Sequence, residues 1–464
     1  MRRSLIVLGI LVLAVAPLSA QNTDIESLSG LQFNFGNPGA RSLGMGGAFL
    51  GLADDASAAE ANPAGLTILR KPEISVEVRN YLEQQIMTTS GTFPDLERTA
   101  FTAYSERVQI AFASAVFPIK NKVTLGAYYH EPLRNNGAGQ VLPQRNEFTG
   151  QIESDVPNFY LPRNGTPVSA AECQKIVRDT KDFFACLEYT INPFISANDV
   201  QQRTWGLAGA WQVHPKFSVG ATARFQTFRE SAFTFRVDPD FNFSSISVQT
   251  TAEIDDAGNL AQKNETDVTF AVGLKWSPIE QLSFGGVYKK GPSFKSPLYA
   301  ATVDTDLKFV KVADTQFHIP DIAGVGVSFR PIPVLTINAD AVYVKYSNLV
   351  DDFVALSDEV NTLDQPFEAA DVVELRLGAE YFFATKLPFA VRAGYWRDPA
   401  HSTEYVGPLD HFNRVAEAVL FPKGKDQNHF SVGAGFAWPR FQIDFAYDTS
   451  ETFKVGSISA VTRF

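Results

Sequence analysis

Apolar and polar residues alternate with period two through most of this 464-residue chain. Such alternation marks strands whose two faces meet different surroundings. In one run Val373, Leu375, Leu377, Ala379, Tyr381 and Phe383 form one face, and Glu374, Arg376, Gly378 and Glu380 the other. The next run sets Phe389, Val391, Ala393 and Tyr395 against Ala390, Arg392 and Gly394. Near the end, Phe441, Ile443, Phe445 and Tyr447 stand against Gln442, Asp444 and Asp448. Fourteen such strands are predicted, near 72–82, 106–117, 121–130, 202–213, 216–229, 265–277, 281–293, 318–330, 334–347, 371–384, 387–396, 428–438, 440–449 and 453–464. Short connections, such as Ile119-Lys120-Asn121, His214-Pro215, Ala384-Thr385-Lys386 and Pro439, alternate with long ones, of which 131–201 is the longest.

The polar faces are glycine with isolated charges of both signs, unlike a water-facing surface. The apolar faces end in aromatics: Trp211, Phe225, Trp276, Phe329, Phe383 and Trp438 are read as lying beside the tight turns. Amphipathic rings prefer the headgroup level of a bilayer. An even strand count, with short turns on one side and long loops on the other, is the outer-membrane pattern. The predicted fold is all-β, a 14-stranded antiparallel transmembrane barrel. Arg224, Lys275, Asp340, Glu374, Arg376, Glu380, Arg392, Asp444 and Asp448 are then expected to face the lumen, because a charge facing lipid costs up to about 2–4 kcal/mol at the midplane. Either these charges pair into a ladder, or one of Arg224, Lys275 and Arg376 stays open to hold a ligand carboxylate.

One stretch cannot be wall. Asn37 to Leu66 carries six glycines, many alanines and two Asn-Pro corners, so it builds no core alone and suits packing inside another structure. From Gly39 onward, GARSLGMGGAFLGLADDASAAEANPAGL is similar to the N-terminal plug of the FadL/TodX family of outer-membrane transporters. Asn62-Pro63-Ala64 matches that family's plug signature, and Asp54-Asp55-Ala56 the acidic pair before it. The resemblance implies a small-residue plug in the lumen of a fourteen-stranded barrel. It implies uptake of hydrophobic compounds, fatty acids foremost, by ligand-gated passive diffusion with sideways exit into the membrane. Gly44, Gly46, Gly47, Asp54, Asp55, Asn62, Pro63 and Ala64 become candidate gating residues. Other readings stay open: uptake of aromatic hydrocarbons, or a related barrel that shuttles exported protein cargo in type IX secretion.

The domain reading is a signal peptide over 1–20, a plug over 21–70 and the barrel over 71–464. Arg2 and Arg3 followed by Leu5 to Ala16 form the export signal, and Gln21 in place of Cys argues against a lipoprotein. Removing the two arginines takes the net charge from −11 to −13. No Lys/Arg cluster interleaves with stacking aromatics, so nucleic acid is not expected as a partner. The expected partners are a hydrophobic ligand, outer-membrane lipid and, from the terminal Phe464, the barrel assembly machinery. Cys173 and Cys186 lie in the longest loop in an oxidising compartment, which favours a disulfide. Between and after them Ile176, Val177, Phe183, Phe184 and Leu187 suit the apolar face of a short helix, either a capture surface or a self-packed cap. The six histidines show no ligand spacing, so neither a metal nor another cofactor is expected. Asp351-Asp352 with Asp358-Glu359 suit either calcium or plain solvation. Neither a nucleophile elbow nor a phosphate-cradling loop occurs, and no enzyme is expected.

Overall fold

A computed structural model describes residues 35–88, 99–119, 122–141, 143–145, 152–154, 159–162, 168–182, 185–189, 194–238, 243–255, 259–302, 308–351, 367–407 and 423–464. The expected signal peptide, residues 21–34, the Lys120-Asn121 turn, Phe183, Phe184, Asp352, Asp358 and Glu359 lie outside the described residues.

Fourteen antiparallel strands close on themselves. They are β1 Glu73–Thr88, β2 Thr99–Ile119, β3 Val123–Val141, β4 Phe194–His214, β5 Phe217–Asp238, β6 Glu265–Ile279 and β7 Leu282–Lys289. Then follow β8 Ile322–Ile332, β9 Leu335–Val344, β10 Val372–Phe383, β11 Phe389–Asp398, β12 Gln427–Ala437, β13 Phe441–Thr449 and β14 Phe453–Arg463. Each pairs with its sequence neighbours, and β14 pairs with β1 from Phe453↔Glu83 to Arg463↔Glu73. Closure leaves no end strand to template aggregation.

The alternation is that of a lipid-facing wall. On β10, Val373, Leu375 and Leu377 are 49–53% exposed while Glu374 and Arg376 are 2% and 4% exposed. All nine expected lumen charges are buried. Trp211, Trp276, Phe329, Phe383 and Trp438 are exposed beside the short turns. Phe225 departs from the expected girdle. It lies eight residues into β5, opposite Trp205 on β4, and Trp205 packs on Tyr129 at 4.9 Å. These rings belong to the opposite rim, because about 3.4 Å of rise per residue carries Phe225 most of the way across the wall.

The first strands are taller than expected. Whereas β9 and β11 have ten residues each, β2 and β4 have 21 and β5 has 22. A crossing needs about 9–11 residues, so segments read from sequence as loops continue as wall on the long-connection side. Phe243–Thr250 pairs with the top of β5 and with Leu298–Thr302. In the longest connection a helix, Ala170–Thr180, is capped by the Ser169 hydroxyl, which accepts the Glu172 N–H at 3.2 Å. The Cys173–Cys186 disulfide, with Cα atoms 5.5 Å apart, ties this helix to the strand Cys186–Tyr189. The helix carries Ile176 and Val177 but ends before Leu187, which falls in that strand, so the expected apolar face is divided between two elements.

One seam is incomplete. The β2–β3 ladder runs from Ile119↔Val123 to Phe112↔His130 and stops. Above it, β2 pairs with β1 and β3 with β4, whose register shifts between His130 and Leu133. Pro132 sits in that shift with no N–H to donate. Gln109 on β2 donates across the opening to the Glu131 carbonyl at 3.2 Å.

Candidate functional site

Residues 37–69 lie inside the barrel, in the half nearer the short turns. Small residues dictate this placement. A Cβ on Gly378, Gly394 or Gly285 would meet the backbone of Met45, Gly46 or Leu50, and one on Gly220 would meet Ala64 N at 2.5 Å. Wall and inner segment therefore touch backbone to backbone. Gly46 and Gly47 have φ of +66° and +74°, a region that side chains rarely adopt. Gly44 packs against Gly433, with 3.1 Å from its ideal Cβ position to the Gly433 Cα.

The wall supplies polar partners for this backbone. Asp340 accepts the N–H groups of Phe49 and Leu50 at 2.7 and 2.8 Å. Lys275 donates to the Gly51 carbonyl at 2.6 Å and also to that of Leu52. Arg376 pairs with Glu374 at 2.5 Å and stacks on Trp396 at 4.4 Å. Asp54 joins Arg41 at 2.6 Å and Arg330 at 2.9 Å, and Arg41 reaches Glu380 at 2.9 Å. Arg392 continues the chain from Glu380 to Asp444. Asp55 lies 3.7 Å from Arg41 and accepts the Ser57 N–H and hydroxyl, so it acts as both ion partner and local cap.

Asn62 is fully buried. Its amide donates to the carbonyls of Leu50 and, across to β6, Leu274, both at 3.1 Å, while its oxygen accepts the Ala64 N–H at 3.2 Å. Pro63 opens the 3-10 turn Pro63–Ile68, and the Ala64 carbonyl accepts the Ser218 hydroxyl at 2.9 Å. Asn62→Ala should loosen residues 50–66 by about 1–3 kcal/mol, the cost of leaving buried carbonyls unmatched. Faster amide exchange over that span, in a barrel that still migrates as folded when unheated, would register it.

Above the inner segment, on the long-connection side, lies a small cavity that opens to solvent. Phe35, Pro132, Pro292, Ile319, Pro320 and Ile322 give it apolar walls, and Glu60, His130, Arg224 and Lys289 polar ones. Glu60 comes from the inner helix Ala58–Ala61. It meets Lys289 at 3.0 Å and Arg224 at 3.3 Å, accepts the Tyr128 hydroxyl, and lies 3.8 Å from His130. Two cations thus face one carboxylate. Arg224 also donates to the Lys290 carbonyl at 3.4 Å, and its buried Nε has no acceptor among the described residues. The turn after Lys289 is fixed by Asp321, which accepts Gly291 N, the Tyr288 hydroxyl and Lys290. Against the pull of partial burial, those donors hold the Asp321 carboxyl below its ordinary range.

Of the three lumen cations singled out from sequence, Arg224 lines the cavity, Lys275 serves the inner backbone, and Arg376 is paired within the wall. Glu60, Lys289, His130 and Tyr128 were not anticipated. Glu60 is the single charge between Asp55 and Arg70, and strand parity puts Lys289 on the inner face of β7 with Gly285 and Val287. Those signals were legible. Their meeting point was not.

No curated protein matches the sequence. A family model described as outer membrane protein transport protein (OMPP1/FadL/TodX) matches residues 188–459, more than half of the chain. Among solved structures, a Pseudomonas aeruginosa FadL homologue superposes with a TM-score of 0.61 at 16% identity, covering 93% of this chain and 99% of that one. The toluene transporters TodX of P. putida and TbuX of Ralstonia pickettii give TM-scores of 0.55 and 0.53 at 13% and 14% identity, with the same coverage. At such identities the likeness shows the fold alone. Closed wall, lipid-facing apolar surface and family match together make this chain a member of the OMPP1/FadL/TodX family of outer-membrane proteins that transport hydrophobic compounds and are not enzymes.

Proposed function

We propose that this protein takes up long-chain fatty acids, with residues 21–70 as a plug that gates passive diffusion. The carrying observation is the pairing, in one cavity, of apolar walls with two cations, one of which keeps a buried donor without an acceptor among the described residues. A carboxylate suits that donor and an acyl chain suits the walls. An uncharged aromatic would use only the walls. Sideways exit is assigned to the opening between β2 and β3, because His130 and Pro132 belong both to the cavity lining and to the place where the ladder ends. A chain leaving there meets one side-chain bond, from Gln109 to the Glu131 carbonyl, in place of a backbone ladder.

The test is mass spectrometry of lipid carried by the purified barrel, followed by saturable binding of a labelled long-chain fatty acid. Co-purifying acyl chains and competable binding are expected. An empty barrel that binds only aromatics would overturn the fatty-acid assignment. One that binds neither but retains an exported protein would point to a secretion role.

A further inference from the structure

Resting on the reading of the cavity as a ligand site, the geometry points to Glu60 as an internal competitor for the ligand's carboxylate. We propose that Glu60 keeps the inner segment seated by occupying Arg224 and Lys289, and that an anionic amphiphile releases the segment by drawing both cations away.

Glu60 belongs to a turn whose other three residues are alanines, so its side chain is the one charged hold of that turn on the wall. Around it the Ser114 hydroxyl donates to the Ala56 carbonyl at 3.1 Å, the Thr222 hydroxyl to that of Ala59 at 3.3 Å, and the Glu73 carboxylate of β1 accepts the Ala56 N–H at 3.1 Å. Both cations converge on one oxygen, Glu60 Oε1, and Tyr128 takes the other. The groups facing Glu60 are thus Arg224 from β5, Lys289 from β7, and Tyr128 and His130 from β3.

Arginine geometry makes the relation an exchange. A carboxylate binds a guanidinium best along one edge with two parallel bonds. Arg41 shows that mode in this protein, with Nε and Nη2 each 2.9 Å from Glu380. On Arg224 the same edge is half-used: Nη2 serves Glu60 and Nε has no acceptor among the described residues. A ligand carboxylate seated on that edge needs the Nη2 that Glu60 holds. Two carboxylates would then share it at close range, where like charges repel. Seating and occupancy are therefore coupled, and the coupling is reciprocal: whatever loosens Glu60 tightens the ligand. A ligand of equal length without the charge fills the walls and leaves the segment seated.

The experiment uses the full barrel in a detergent without carboxylates, with laurate and dodecanol as probes. Amide exchange over 56–66 and affinity are both read. In the wild type, laurate should speed exchange there and dodecanol should not. Glu60→Gln should bind laurate about tenfold tighter with dodecanol within about twofold, and its exchange should be fast already and unresponsive to laurate. Tyr128→Phe, which removes the hydroxyl that meets both Glu60 and Arg224 without changing charge, should move both readouts the same way by less, and it carries the test should Glu60→Gln not assemble. Unchanged or weaker laurate binding in a folded variant, or equal exchange responses to the two probes, would overturn the proposal. If the wild type binds neither probe, the ligand-site reading itself fails and this inference falls with it.

Discussion

Gly394→Val is expected to unseat the inner segment and make the barrel conduct ions, while the wall still assembles. The Gly394 backbone is fixed on both sides, opposite Gly378 on β10 and Ser431 on β12. A side chain there points at Gly46 N and Met45 C. The wall cannot retreat without breaking two ladders, so the inner backbone must. Overpacking of this kind costs about 1–3 kcal/mol, which is roughly 5- to 150-fold in the ratio of unseated to seated segment. Planar-bilayer conductance and entry of large antibiotics measure it. Gly456→Ala is the matched control, since nothing lies within 4 Å of a Cβ at that position. Conductance equal to that of the control would show that the close approach at Gly394 does not hold the seal.

Arg224→Gln combined with Lys289→Gln should have two separable effects. Binding of a fatty acid should fall at least tenfold for each cation lost, since a charge-assisted hydrogen bond contributes about 1.5–3 kcal/mol. The barrel should also unfold at lower temperature, because Glu60 is left buried with Tyr128 and His130 alone. Breaking a buried ion pair from one side typically costs about 3–5 kcal/mol. Adding Glu60→Gln should recover the stability and leave the binding defect. Binding retained in the double variant would place the ligand's headgroup elsewhere.

The wall was legible because period-two alternation and turn chemistry are local. All fourteen strands and the inward charges follow from parity, and the dry, lipid-facing side from glycine on the polar face. The heights of β1 to β5 were not legible, since residues above the bilayer such as Asn135 and Gln201 read as loop by composition. Phe225 was misplaced for the same reason: its distance from a turn depends on how far the strand runs. In the inner segment, the motif pointed to Asn62, Pro63 and the acidic pair, and each has a distinct set of contacts. Glu60 lay in the same motif without being marked, because its importance comes from Arg224 and Lys289, 164 and 229 residues away. Pairings of that separation are set by barrel closure and leave no local trace. The inner-face glycines read as mere absence of side chain, whereas the backbone of residues 44–64 packs against them.

The seam between β14 and β1 carries a consequence for assembly. Glu77 on β1 accepts the Gly39 N–H at 2.7 Å and the Ser457 hydroxyl of β14 at 2.7 Å, and Ser459 on β14 accepts the Ala40 N–H at 3.2 Å. Three parts of the chain therefore meet at the joint that closes last in sequence. A slip of one residue would put Glu77 and Ile458 on the same face, so that either Glu77 turned toward lipid or Ile458 toward the lumen, and Gly39 or Ala40 would lose its acceptor. The inner segment thus acts as a gauge for the closing register: a cylinder that forms before Gly39 and Ala40 arrive lacks the contacts that tell the correct joint from its neighbours.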